Sequence, residues 1–111
     1  MSSQLYDWLV QLPDKPDVLT TRLAHVGEHL SHTRPYVDAG TIVVGGMTLS
    51  SQPKTPAAGP LPVTGSAMMF RTATEEEVWK ILREDPFAKA GVWDLERATI
   101  TPYKCAVRRP L

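Results

Sequence analysis

The chain has 111 residues, and its 12 Lys and Arg are balanced by 12 Asp and Glu, leaving no formal charge at pH 7 with neutral histidines. Nucleic-acid binding needs a basic excess against phosphate, and the one basic run, Arg108-Arg109, does not supply it, so no nucleic-acid partner is expected. A composition 42% hydrophobic and 22% charged is that of a soluble globular protein, and the length suits a single domain over residues 1–111.

Leu5 to Gln11 alternates Tyr6, Trp8 and Val10 against Leu5 and Leu9 and stops at Pro13, which reads as a strand. After Pro16, Asp17 stands where an N-cap would open a helix. Leu19, Leu23, Val26 and Leu30 then form a stripe expected to face the core. The helix runs toward Gly40, with a kink or early end predicted at Pro35, which lacks a backbone donor and crowds the carbonyl of Ser31. A second strand covers Thr41 to Leu49. From Ser50 to Pro62 the chain carries Pro53, Pro56, Gly59, Pro60 and Pro62, so residues 51–63 read as a proline-rich loop, either a lid or a hairpin connection. A third strand spans Gly65 to Thr72. Thr74 and Glu77 form a capping box before Val78, Trp79, Ile81 and Leu82, in a helix ending near Glu84. Asp85-Pro86 then reads as N-cap and first position of a short helix closed by Gly91, and the last strand runs from Arg97 to Val107.

The order β-α-β-β-α-β is that of an α+β, ferredoxin-like sandwich: a four-stranded antiparallel sheet with helices on one face. Alternation puts Ile42 and Val44 on one face of strand two and Val43, Met47 and Leu49 on the other, while in strand three Met68 and Phe70 oppose Ala67 and Met69. Both faces are apolar, and the helices cover only one. The other is expected to be buried by a second copy, giving a homodimer through facing sheets. A chain of this size buries only about 65% of its unfolded surface, which favours the same outcome.

A single cysteine, Cys105, excludes an intramolecular disulfide framework and points to a reducing compartment. The N-terminus lacks the features of a signal peptide, and no apolar run approaches the roughly 18 residues of a membrane span. A cytoplasmic protein with no membrane partner is expected.

All three histidines, His25, His29 and His32, sit on the first predicted helix within about 60 degrees of one another, on the flank of Arg22. Three readings compete. Spacings of four and three residues can present imidazoles to one metal ion, but neither a fourth ligand nor a paired acidic motif accompanies them. A solvated polar flank suits His25 and His32. The third reading makes one histidine a general acid or base in a pocket. Spacing alone does not choose. Gly45-Gly46 lacks the following Lys-Ser/Thr of a phosphate loop.

Arg22-Leu23-Ala24, His29-Leu30 after four residues, then Ala39-Gly40, Ile42-Val43-Val44 and Gly45-Gly46 resemble the first half of the YciI-like family. Thr64-Gly65-Ser66, Asp85-Pro86-Phe87, Ala90-Gly91-Val92 and Pro102-Tyr103-Lys104 resemble its second half, so the likeness covers nearly the whole chain. That family is similar in fold to muconolactone isomerase and other dimeric α+β barrels. The resemblance implies a pocket with a His-Asp pair, at His29 and Asp85, that moves a substrate proton without cofactor or metal. It also implies that Arg22 and Ser66 hold a carbonyl or anionic oxygen, that Gly65 lets a backbone amide come close, and that Phe87 forms an apolar wall. Trp8 and Trp93 are further candidate walls.

Departures from the family pattern are Phe87 where Tyr is frequent, Val26 where a second Arg is frequent, and Met47 in place of a proline. They imply a more apolar substrate. The function implied is a lyase or isomerase acting by dehydration, isomerisation, cyclisation or elimination on a small cyclic, aromatic or polyketide-like metabolite. The alternative is a non-catalytic, dimeric small-ligand-binding or accessory module. In that case Asp85 is an N-cap only, Ser66 a strand-end hydroxyl, and Arg22 half of a surface ion pair.

Overall fold

The computed structural model describes residues 4–55 and 59–110; Pro56 of the predicted loop therefore lies outside the described residues. Four strands, β1 (Tyr6–Pro13), β2 (Ile42–Leu49), β3 (Val63–Thr72) and β4 (Thr99–Tyr103), form one antiparallel sheet in the order β2-β3-β1-β4. Helices α1 (Leu19–Asp38), α2 (Glu75–Glu84) and α3 (Pro86–Lys89) complete the α+β ferredoxin-like arrangement. Val10 pairs with Met68, Leu12 with Ser66 and Ile42 with Phe70, so these residues share the helix-covered face. There they meet Val78, Ile81 and Leu82 of α2, Phe87 of α3, and Val92 and Trp93.

The punctuation residues act as their chemistry requires. Gly40 and Gly91 hold φ of +78° and +74°, and each closes its helix with paired bonds: Gly40 N–H to the Val37 carbonyl with Thr41 N–H to Tyr36, and Gly91 N–H to Ala88 with Val92 N–H to Phe87. Thr74 Oγ1 accepts from the Glu77 N–H at 3.3 Å and caps α2. Thr74→Ala is expected to lower stability by about 1 kcal/mol, measured by urea unfolding, with the fold retained.

Several expectations are corrected. The α1 stripe does not face the core: Leu19, Leu23, Val26 and Leu30 are 41–63% exposed, and the buried residues of α1 are Arg22 and Thr33. The helix is turned by roughly 60 degrees from its most apolar direction, at 100 degrees per residue, because its polar flank finds buried partners on the strands and on α3. Asp17 is not the N-cap; Val18 takes that position without a side-chain bond, and Asp17 holds φ of 60°. Asp14 N–H bonds Thr64 and Lys15 N–H bonds Val92, so the chain must reverse within a few residues, and Asp is among the few residues that tolerate a left-handed conformation. The run of α1 toward Gly40 is as expected: the helix passes through Pro35, without the early end, and continues to Asp38.

In β2, Ile42 pairs with Phe70 and Val44 with Met69, leaving Val43 as the extra residue of a bulge. The bulge reverses the alternation. Val44 therefore joins Met69 on the open face, and Met47, opposite Ser66, turns to the helix side. Strand β3 begins earlier than predicted, at Val63, while β4 is shorter. A 3₁₀ turn takes Leu95–Arg97, and past Tyr103 the Cys105 N–H donates to the Asp7 carboxylate instead of to a ladder carbonyl. The β2–β3 connection is tied at its base by Ser50 N–H to the Pro62 carbonyl and by a 2.8 Å bond between the Thr48 and Thr64 hydroxyls. The open face of the sheet presents Leu9, Val44 and Tyr103, each 39–50% exposed, beside Ala67 and the buried Met69.

Candidate active site

Asp85 ends α2 and opens α3. Pro86 forces it out of helical geometry, at φ −68° and ψ 137°, and its carboxylate accepts from the Phe87 N–H at 2.8 Å. The same carboxylate, on a residue 2% exposed, has both oxygens within 2.8–2.9 Å of His29 Nδ1. A carboxylate only accepts, so Nδ1 carries the hydrogen and donates it. In the neutral ring Nε2 is then the nitrogen that keeps a lone pair, and His29 lines the cleft. The imidazole stacks on Phe87, with ring centres 4.2 Å apart and planes 12° apart, and meets the edge of Trp93 at 5.8 Å.

Arg22, on the first turns of α1, is held from three sides. Its Nε and Nη2 donate to the two oxygens of Asp14 at 2.8 and 3.2 Å, Nη2 also donates to Ser66 Oγ at 2.6 Å, and the guanidinium lies 4.7 Å from the Phe87 ring centre. The Ser66 hydroxyl in turn accepts from the Trp93 indole at 3.1 Å. Arg22, Ser66 and Phe87 thus form one connected wall with His29.

A cleft of about 440 Å³ opens between α1 and β2. Its polar residues are Arg22, His29, Thr33 and Ser66, and its apolar lining comes from Val26, Leu30 and Val37 of α1, Val43 and Met47 of β2, and Ile42, Met68 and Phe87. Two residues of the α1 stripe that was expected in the core, Val26 and Leu30, are therefore walls of the cleft.

Of the predicted site residues, the fold brings Arg22, His29, Ser66, Asp85 and Phe87 together. Trp8 lies elsewhere: it pairs with Phe70 and Pro102 toward the other end of the sheet, and its indole donates to the Thr72 carbonyl at 3.2 Å. Gly65 does not line the cleft. A Cβ there would strike the Leu12 carbonyl, so its lack of a side chain serves the close approach of β3 to β1. The three histidines diverge: His25 lies beside Glu28 at 3.3 Å, and His32 Nε2 donates to the Ile81 carbonyl at 3.0 Å, tying α1 to α2. Asp14 escaped the sequence reading, although strand alternation places it inward after Val10 and Leu12.

Comparison with known proteins adds an independent line. A family model described as the YCII-related domain matches residues 7–103. The derivative of benzaldehyde biosynthesis cluster protein C of Emericella nidulans is 46% identical over 90 residues, covering 80% of this chain and 90% of that protein. A xenovulene A biosynthesis cluster protein of Sarocladium schorii is 37% identical over 109 residues, covering 95% and 93%. Among solved structures, the 5-chloro-2-hydroxyhydroquinone dehydrochlorinase of Burkholderia phenoliruptrix, in complex with 2,5-dihydroxybenzoquinone, superposes with a TM-score of 0.74 at 28% identity, covering 90% of this chain and 95% of that one.

Proposed function

The chain belongs to the YCII-related domain family, and on that premise we propose that it is a small lyase or isomerase whose His29-Asp85 pair moves a proton on a cyclic, aromatic or polyketide-like metabolite. The observation that carries this reading is the buried Asp85 carboxylate, with both oxygens 2.8–2.9 Å from His29 Nδ1, behind an apolar cleft. Nε2 accepts a proton from a carbon or hydroxyl made acidic by a neighbouring carbonyl, and Asp85 stabilises the imidazolium so formed. The electron pair left on the substrate moves into the ring system or expels a leaving group. The proton then returns to another atom of the substrate, giving isomerisation, or departs with the leaving group, giving elimination. The pair can carry this transfer by itself, without a cofactor or metal.

The relatives support the choice of substrate class: two bear the names of biosynthesis clusters, and the dehydrochlorinase holds a dihydroxybenzoquinone. Assembly belongs to the same reading. The open sheet face, with Leu9, Val44 and Tyr103 exposed, is to be covered by the same face of a second copy, giving a homodimer. The setting proposed is the cytoplasm, where a lone thiol stays reduced. Among the described residues, no helix is long and apolar enough to cross a membrane.

The test is solvent exchange. Dihydroxybenzaldehydes, hydroxyquinols and unsaturated lactones are incubated with the protein in deuterium oxide and followed by proton NMR. At least one is expected to take up deuterium roughly a hundredfold faster than in buffer alone, in line with the usual contribution of a positioned base. If compounds shown to bind exchange no faster than in buffer, the catalytic reading is wrong and a binding module takes its place.

A further inference from the structure

We propose that Asp14 is a specificity-determining residue of the cleft. By neutralising Arg22 it restricts the site to uncharged aromatic carbonyl and phenolic compounds and turns away their carboxylates. The inference rests on the proposed reading in one respect, that the cleft of His29 is where the substrate lies. A lone buried guanidinium would be an anion site, because arginine pairs readily with carboxylate and phosphate. Here that capacity is already occupied. Asp14 takes two hydrogen bonds from Arg22, and the two side chains are only 9% and 5% exposed, so water and salt screen the pair poorly and its charges compensate locally.

A second carboxylate, Asp85, stands behind His29 on the same wall. Arg22, the one permanently charged cation among the residues lining the cleft, is thus already paired, and an incoming anion meets no free positive charge there. An uncharged oxygen needs none. Arg22 engages its protein partners through Nε and Nη2, which leaves the two Nη1 hydrogens of the fork for a carbonyl or phenol oxygen. The remaining walls, among them Val26, Leu30, Met47 and Met68, suit a ring, and the parallel His29-Phe87 stack offers a flat face.

Asp14 acts through Arg22, so the readout is a preference between ligands instead of turnover. The probes are 3-hydroxybenzaldehyde and 3-hydroxybenzoate, alike in ring and differing in charge at pH 7, with dissociation constants measured by calorimetry. The wild-type protein is expected to bind the aldehyde at least tenfold more tightly. Asp14→Asn is expected to erase or invert that preference, and Asp14→Glu to preserve its direction. The proposal is overturned if wild-type protein binds the carboxylate as tightly as the aldehyde, if it binds neither, or if a folded Asp14→Asn keeps the full preference. The wild-type ratio decides by itself should Asp14→Asn fail to fold. Absence of proton exchange together with a tenfold aldehyde preference would remove the catalytic reading and leave the charge discrimination standing. Exchange without the preference would do the reverse.

Discussion

His29→Ala is expected to lower kcat by about a hundred- to ten-thousand-fold, the usual contribution of a positioned general acid or base. The expectation rests on the ring's two nitrogens having different surroundings. Nδ1 is held by the Asp85 carboxylate, which fixes the tautomer and the ring plane, and the stack against Phe87 restrains rotation out of that plane. The loss is expected in kcat more than in KM, because the apolar walls that hold the ring remain. Added imidazole should restore part of the activity by occupying the space the side chain leaves, an effect that a general loss of packing would not produce. Circular dichroism and a thermal melt establish that the variant is folded. Undiminished turnover in a folded His29→Ala protein would take the proton transfer away from this residue.

Asp85→Ala should be strongly destabilising, and comparison with Asp85→Asn separates its two tasks. The carboxylate is an N-cap, accepting from the Phe87 N–H at 2.8 Å, and it is the partner of His29. Truncation removes a cap worth about 1 kcal/mol and leaves buried donors unsatisfied at about 1–3 kcal/mol, for a total of roughly 2–4 kcal/mol. Asparagine retains an oxygen for the cap, so its cost in stability is expected to stay near 1 kcal/mol or below. It cannot accept from Nδ1–H with both of its terminal atoms, and it adds a donor that favours the wrong tautomer. Turnover is therefore expected to fall about a hundredfold or more in Asp85→Asn, by the logic of His-Asp pairs in general. Urea unfolding and steady-state kinetics on both variants provide the comparison. Equal losses of stability with intact turnover would reduce Asp85 to a cap.

The two variants mark how far the local sequence reached. Asp85-Pro86 announces its own backbone, because proline excludes helical geometry from the residue before it, and an aspartate so placed caps the next turn whatever surrounds it. Gly40 and Gly91 likewise announced two helix ends through the left-handed conformations they take there. The identification of His29 as the partner of Asp85 came from family resemblance. Residues 56 positions apart share no local signal, and three histidines on one helix flank have equivalent spacing until a fold chooses among them.

The misread elements have a common cause. The apolar stripe of α1 was assigned to the core on the rule that a helix buries its most hydrophobic face. That rule holds when the polar face has no buried partners. Here Asp14, Ser66 and Asp85 supply them, so the buried direction of α1 carries Arg22 and Thr33, and Val26 and Leu30 become walls of a cleft. In β2 the bulge at Val43 defeats simple alternation, because an extra residue reverses the side chains that follow it, here as far as the second register shift after Thr48. Met47 faces Ser66 for that reason.

What the sequence determined by itself is the order and kind of the elements. Proline, glycine and capping residues act within a few positions, and strand alternation depends only on the backbone's period of two. Fold class followed from that order. Which side chains meet was decided by tertiary structure alone. The angle at which α1 lies on the sheet, the register of β2 on β3 and the reversal of the chain at Asp17 together set Arg22 against Asp14 and His29 against Asp85. Those pairings lower the free energy only when both partners are withdrawn from water in one place, a condition that no segment of the chain can express on its own.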